Sequence, residues 1–130
     1  MKTSFQYFTE DSSVTLLEEN VWKGNLSPRW SIGSTPNGGY SMALATRAIS
    51  GSLTHKDPLS ITANYLERVD FGEAIIKVEP LSITKSLSTA RASLIQDNKL
   101  KIVFTASFTD FSRSNGCLLY TSDAADEVVS

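Results

Sequence analysis

Asn37-Gly38-Gly39-Tyr40 opens a run of small, mostly uncharged residues that extends to Gly51, and it holds the best-placed chemistry in the chain. The Asn37 side-chain oxygen suits a helix cap, Pro36 stiffens the approach, and Ser50-Gly51 supplies a stop about four turns later. A helix starting there aims unsatisfied backbone amides, and the positive end of its dipole, at whatever lies in front of it. Amides of Gly38, Gly39 and Tyr40 would then serve a carbonyl oxygen that gains negative charge. The two glycines let a ligand come close to the backbone. No Asp or Glu occurs from Asn37 to Gly51, so this helix brings no general base.

Each of these residues also has a plain structural use. Gly38 and Gly39 equally suit a tight turn and close helix–sheet packing, Tyr40 a core aromatic, and Asn37 a cap without ligand contact. Arg91, on a strand, could meet a phosphate or remain a solvated or paired charge. His55 is the single histidine and lies in the polar stretch His55-Lys-Asp-Pro58, which predicts a solvent-exposed turn residue. Ser86, Ser88 and Thr89 have no base adjacent in sequence, which gives no support to a serine nucleophile. Trp22 and Trp30 read as core anchors.

The elements that must position the tetrapeptide follow from hydrophobic period. Tyr40, Ala43, Leu44, Ala45, Ala48 and Ile49 spread apolar surface around most of the helix, with Arg47 its one formal charge. Such a helix is predicted to be buried on several sides. Before it, Ser13–Asn20 and Val21–Leu26 read as a hairpin turning at Glu19-Asn20, and Trp30 and Ile32 as a short extended lead-in. After it come four runs with strand alternation. They place Leu59, Ile61, Ala63 and Tyr65 on one face, then Ala74, Ile76 and Val78, then Ala90, Ala92 and Leu94. The last aligns Leu100, Ile102, Phe104, Ala106 and Phe108 against Lys101, Val103, Thr105, Ser107 and Thr109, after a tight turn at Asp97-Asn98. A helix followed by long antiparallel strands predicts an α+β domain in which a curled sheet wraps the helix. Small residues at Ala43, Ala45 and Ala48 let the sheet come close.

Composition narrows the classes of function. The 130 residues suit one domain with a single core, and 12 basic against 14 acidic residues (net charge −2) give no excess for gripping nucleic acid. One cysteine, Cys117, forms no internal disulfide, and no stretch is long enough to cross a bilayer. The start Met1–Gln6 lacks the apolar run of a signal peptide, so a cytoplasmic protein is the expectation.

Cys117-Leu-Leu-Tyr-Thr-Ser-Asp-Ala-Ala-Asp-Glu127 resembles, at all eleven positions, the translation of a transposon-type sequencing-library adaptor. The alternative is a natural acidic tail. The expected organisation is a lead-in over residues 1–12, one domain over 13–112, and a non-native tail over 113–130, read-through from about residue 117. On that view the natural reading frame continues past about Gly116.

With the elements in place, Trp30-Ser-Ile, Pro36-Asn-Gly-Gly-Tyr40, Ala45-Thr-Arg-Ala48, Tyr65-Leu-Glu-Arg-Val69, Ala90–Asp97 and Phe104-Thr-Ala-Ser-Phe108 resemble the acyl-CoA thioesterase-like hotdog superfamily. The likeness is to the N-terminal half of double-hotdog members and covers roughly Val14–Phe111. It implies a hotdog fold and hydrolysis of fatty acyl-CoA to free fatty acid and CoA, with no metal or redox cofactor. It implies pairing with a second hotdog, or a homodimer, and an acyl-CoA substrate near Asn37, Gly38, Gly39, Tyr40 and Arg91. It also implies that the catalytic carboxylate, with its Thr and Gln helpers, belongs to the second hotdog, so that the catalytic residues of this chain are unknown and the fragment is nearly inactive alone. A rival within the fold, the hydratases, relies on a histidine near the helix, which the placement of His55 disfavours. A noncatalytic acyl-binding or pairing hotdog module is the alternative from another functional class, and an unrelated helix-and-sheet domain, such as a cystatin-like or nuclear-transport-factor-like fold with the helix outside the sheet, is a third.

Overall fold

A computed structural model describes residues 2–112; the adaptor-like tail lies outside the described residues. The elements are α1 (Ser4–Asp11), β1 (Val14–Glu18), β2 (Val21–Leu26), β3 (Ser31–Ile32), β4 (Thr35–Pro36), α2 (Gly38–Ser52), β5 (Asp57–Tyr65), β6 (Gly72–Ile83), β7 (Ser88–Gln96) and β8 (Lys99–Thr109). Six strands form one antiparallel sheet in the order β1-β2-β6-β7-β8-β5, and β3 and β4 form a small separate hairpin. The expected turns are present, with left-handed φ at Asn20 and at both Asp97 and Asn98, the geometry a two-residue hairpin demands.

Helix α2 touches all six strands of the sheet. Its inward face buries Tyr40, Leu44, Ala45, Ala48 and Ile49 against Ala74, Ile76, Val78, Ala90, Ala92, Leu94, Phe104 and Phe108. Five alanines in that list bring helix and sheet into close contact, and the phenylalanines fill the remaining volume. This is the hotdog arrangement, a curled antiparallel sheet around a central helix, and it excludes the alternative with the helix outside.

Gly51 does not end α2, which runs one residue further to a cap at Leu53. A Cβ at Gly51 would lie 2.6 Å from two atoms of the Trp22 ring, and the Trp22 Nε1 donates to the Ser52 hydroxyl at 2.7 Å. The glycine makes room for a tryptophan under the helix rather than for a left-handed turn.

The stretch read as a lead-in contains α1, started by a reciprocal cap in which the Gln6 amide donates to Thr3 Oγ1 and the Thr3 amide to Gln6 Oε1. Phe8 meets Trp30 edge to face, with centroids 5.0 Å apart, and Arg47 donates to the Thr9 carbonyl at 3.0 Å. A short, polar helix is therefore held across α2 by a few specific contacts.

Two expectations about faces are corrected. Lys101 was placed with the outward residues, but the ladder shifts between Leu94 and Ile95, and its side chain turns in, 8% exposed, to donate to the Arg68 carbonyl at 2.9 Å. Leu59 falls at a similar irregularity between Pro58 and Ser60 and is exposed instead of packed. One extra residue in a strand inverts the side on which its neighbours lie.

Candidate functional site

The first turn of α2 is held by Asn37 from two directions. Its side-chain oxygen accepts from the Gly39 amide at 2.8 Å, and its carbonyl accepts from the Tyr40 and Ser41 amides, both at 3.1 Å. Of the three amides singled out in the sequence, Gly39 and Tyr40 are thus engaged. The Gly38 amide has no hydrogen-bond partner among the described residues, as expected for the first helical residue. It carries the concentrated positive end of the helix.

Tyr40 is a core residue. Its hydroxyl donates to the Asp11 carbonyl at 2.7 Å and accepts from the Ser27 amide at 2.9 Å, tying α2 to the end of α1 and to the β2–β3 connection. Burial, the largest cause, raises its pKa above the ordinary 10.0, so the phenol is neutral.

Among the described residues, three open grooves reach the tip of α2. The largest, about 600 Å³, lies between the tip, the β3–β4 hairpin and the loop after β5, with Ile32, Pro36, Leu66 and Val69 as apolar walls. Another, of about 340 Å³, touches Asn37 and Gly39 beside Trp30, and a third, of about 420 Å³, runs from Gly39 past Met42 and Thr46 to Arg47. The tip is accessible.

Tyr65, expected to pack in the core, stands at the wall of the largest groove, 52% exposed. Its hydroxyl donates to the Gly38 carbonyl at 2.9 Å, and a Cβ on Gly38 would sit 3.0 Å from that oxygen. Partial burial raises its pKa as well. Gly38 is therefore small because a tyrosine lies against it, while a Cβ on Gly39 would meet only the Asn37 side-chain oxygen within 4 Å. The loop opposite is pinned from beneath: Gln96 bonds both backbone groups of Asp70, at 2.9 and 2.7 Å, and Lys101 holds Arg68. Arg68 in turn donates to the Ser34 hydroxyl at 2.6 Å at the rim. Tyr65 followed by the apolar Leu66 at a strand end was the available signal for this groove.

Arg91 is not brought to this site. It alternates with the buried Ala90 and Ala92, which turns it to the face of the sheet away from α2, opposite Glu79 and Thr105 on the neighbouring strands.

His55 overturns its expectation. It is 4% exposed, with Nδ1 2.5 Å from Ser88 Oγ and Nε2 2.9 Å from the Lys85 carbonyl. Because a carbonyl only accepts, Nε2 carries a proton and donates to Lys85, while Nδ1 shares a hydrogen bond with the serine hydroxyl. Ser88 thus does have a base beside it, supplied by the fold across 33 residues. With Ser88 0% exposed, the pair has no path to a substrate and instead locks the α2–β5 loop to the β6–β7 hairpin.

No helix among the described residues is long and apolar enough to cross a membrane. The curled sheet around a central helix, with an open, uncharged helix tip, defines a hotdog domain. Residues 26–109 match the model of the acyl-CoA thioesterase N-terminal domain, and the chain belongs to that family. Thioesterase-like protein TwmA of Talaromyces wortmannii is 30% identical over 96 residues, 72% of this chain and 28% of TwmA. Among solved structures, a candidate thioesterase II from Thermobifida fusca superposes with a TM-score of 0.77 at 23% identity, over 79% of this chain and 38% of the other. The tesB protein of Mycobacterium avium subsp. paratuberculosis gives 0.75 at 20% identity, over 82% and 43%. The chain spans less than half the length of each of these proteins. Helix α1 and strand β1 lie outside the matched span.

Proposed function

We propose that this domain forms one half of the substrate channel of an acyl-CoA thioesterase, hydrolysing a fatty acyl-CoA to free acid and CoA, and that it offers the Gly38 amide to the thioester oxygen. The observation that carries the reading is that amide, unpartnered among the described residues at the head of α2 beside an apolar groove of about 600 Å³. An attacking water turns the carbonyl oxygen into an oxyanion, and a preorganised N–H at a helix start stabilises the charge as it develops. The partly exposed Tyr65 ring and the walls of the groove suit an aliphatic chain. A water must also lose a proton, and α2 has no carboxylate for that step.

A second hotdog is therefore assigned the general base, and β5 is the edge through which the two sheets join. Among the described residues β5 pairs only with β8 and exposes Leu59 and Tyr65, so an unpartnered β5 favours self-association. The lack of a base on α2 also favours a second reading, an acyl-binding module that completes a partner's pocket without turnover.

Release of CoA thiol from hexanoyl-CoA separates them. The chain alone is expected to show no turnover, and the chain joined to a second hotdog bearing a helix-borne carboxylate is expected to turn over. Binding without turnover in the joined protein favours the second reading. Hydrolysis by the chain alone, abolished by a substitution within residues 2–112, contradicts the assignment of the base.

A further inference from the structure

Ser41 lies one turn into α2, on the side facing the groove between the helix tip, Tyr65 and the loop from Leu66 to Val69. It is 1% exposed. Its amide is used, donating to the Asn37 carbonyl at 3.1 Å, but its hydroxyl makes no hydrogen bond among the described residues. No fully enclosed polar side-chain atom there lacks a partner, so the small part of Ser41 that remains accessible is the hydroxyl, and the space it reaches is the groove. By contrast Thr46, one turn or so further along, spends its hydroxyl on the Met42 carbonyl at 2.7 Å. A serine that declines the same bond to its own helix keeps an O–H for something else, and a nearly buried hydroxyl left unpaired costs stability.

We infer that Ser41 is a substrate-contacting residue, whose hydroxyl donates to a neutral carbonyl oxygen on the aliphatic arm of an acyl thioester lying in this groove. This rests on the reading given under Proposed function and adds a specific contact to it. The class of atom follows from the surroundings. Ile32, Pro36, Leu66 and Val69 are apolar walls, Glu67 adds a carboxylate to the lining, and the cation of the lining, Arg68, is committed to Ser34 at the rim. A charged phosphate beside Ser41 would be desolvated without a counter-ion, whereas a carbonyl oxygen needs only the one hydrogen bond offered. Two carbonyls of an acyl-CoA fit that chemistry, the thioester itself and an amide of the pantetheine arm.

Ser41→Ala tests this by ligand-detected NMR titration, which reads millimolar Kd values, with hexanoyl-CoA and with CoA. The variant is expected to bind hexanoyl-CoA roughly three- to tenfold more weakly, the range one neutral hydrogen bond supplies. Unchanged CoA affinity identifies the thioester carbonyl, and an equal loss for CoA identifies a pantetheine amide. Its Tm is expected to match or exceed that of the wild type, because the serine hydroxyl has no partner to lose among the described residues. Wild-type affinity for hexanoyl-CoA in the variant, or a Tm lower by several degrees, overturns the assignment while leaving the thioesterase reading intact. Absence of hexanoyl-CoA binding by the wild-type chain overturns both.

Discussion

Replacing Gly38 by proline deletes one N–H and adds a ring, and alanine at the same position, which adds the Cβ but keeps the N–H, is its control. Both substitutions add a Cβ 3.0 Å from the Tyr65 hydroxyl oxygen and 3.2 Å from Cζ, so the ring must give by a few tenths of an ångström. It is free to do so, being half exposed. The cost is part of the 2.9 Å bond from Tyr65 to the Gly38 carbonyl, about 0.5–1 kcal/mol at a solvent-accessible site. Removing a glycine returns about 0.4–1 kcal/mol through the unfolded chain, so alanine is close to neutral. Proline suits the backbone here: the first helical position is the one it favours, Asn37 already has φ −61° and ψ 135°, and the Gly38 amide serves no bond among the described residues. The two variants should therefore melt within a few degrees of each other and of the wild type. In a joined double hotdog their kcat values should differ by roughly 10²–10³-fold, the loss measured when one oxyanion donor is removed. The assay is thiol release from hexanoyl-CoA, with Tm measured in parallel. Equal kcat in the two variants, with both folded, would refute the role given to the amide.

Two other residues yield predictions about stability. The Tyr40 phenol has its pKa raised above 10.0 by burial, so the folded chain holds that proton at pH values where the unfolded chain has released it. Stability therefore falls as pH rises above about 10; chemical denaturation from pH 8 to 11 should show a shallower alkaline fall in Tyr40→Phe, on top of a pH-independent loss of about 1–3 kcal/mol from its stranded partners. An unchanged slope would exclude Tyr40 as its source. For the buried pair, Ser88→Ala should cost about 1–3 kcal/mol in urea denaturation by leaving the His55 Nδ1 unpaired, with hexanoyl-CoA binding unaltered. A change in affinity without a change in stability would mean that His55 and Ser88 belong to the site after all.

The sequence made the sheet and helix legible because their burial is regular: period two along β6, β7 and β8, a small-residue face on α2, and Asn-containing turns with left-handed backbone. It misled where one residue breaks the period, as at the irregularities that turn Lys101 inward and Leu59 outward. Helix α1 was missed because eight mostly polar residues carry little hydrophobic pattern, although Thr3 and Gln6 have the spacing of a capping box. His55 was misjudged for another reason. Its neighbours in the chain are polar, and only the folded hairpin 33 residues away brings Ser88 to its ring. At the candidate site, Asn37 as cap and the glycine tip were legible. Tyr65 against Gly38, the free hydroxyl of Ser41 and the remoteness of Arg91 all depend on which way a strand end or helix face points, and sequence spacing alone leaves those directions open.

The most direct measurement is a ¹H–¹⁵N correlation titration of the ¹⁵N-labelled chain with hexanoyl-CoA. A ligand carbonyl accepting from the tip of α2 predicts a saturable downfield shift of the Gly38 amide, among the largest in the spectrum, with smaller movements at Ser41, Tyr65 and Leu66. Shifts gathered around Arg91 and Glu79 on the other face of the sheet, with Gly38 unmoved at saturation, would contradict the account.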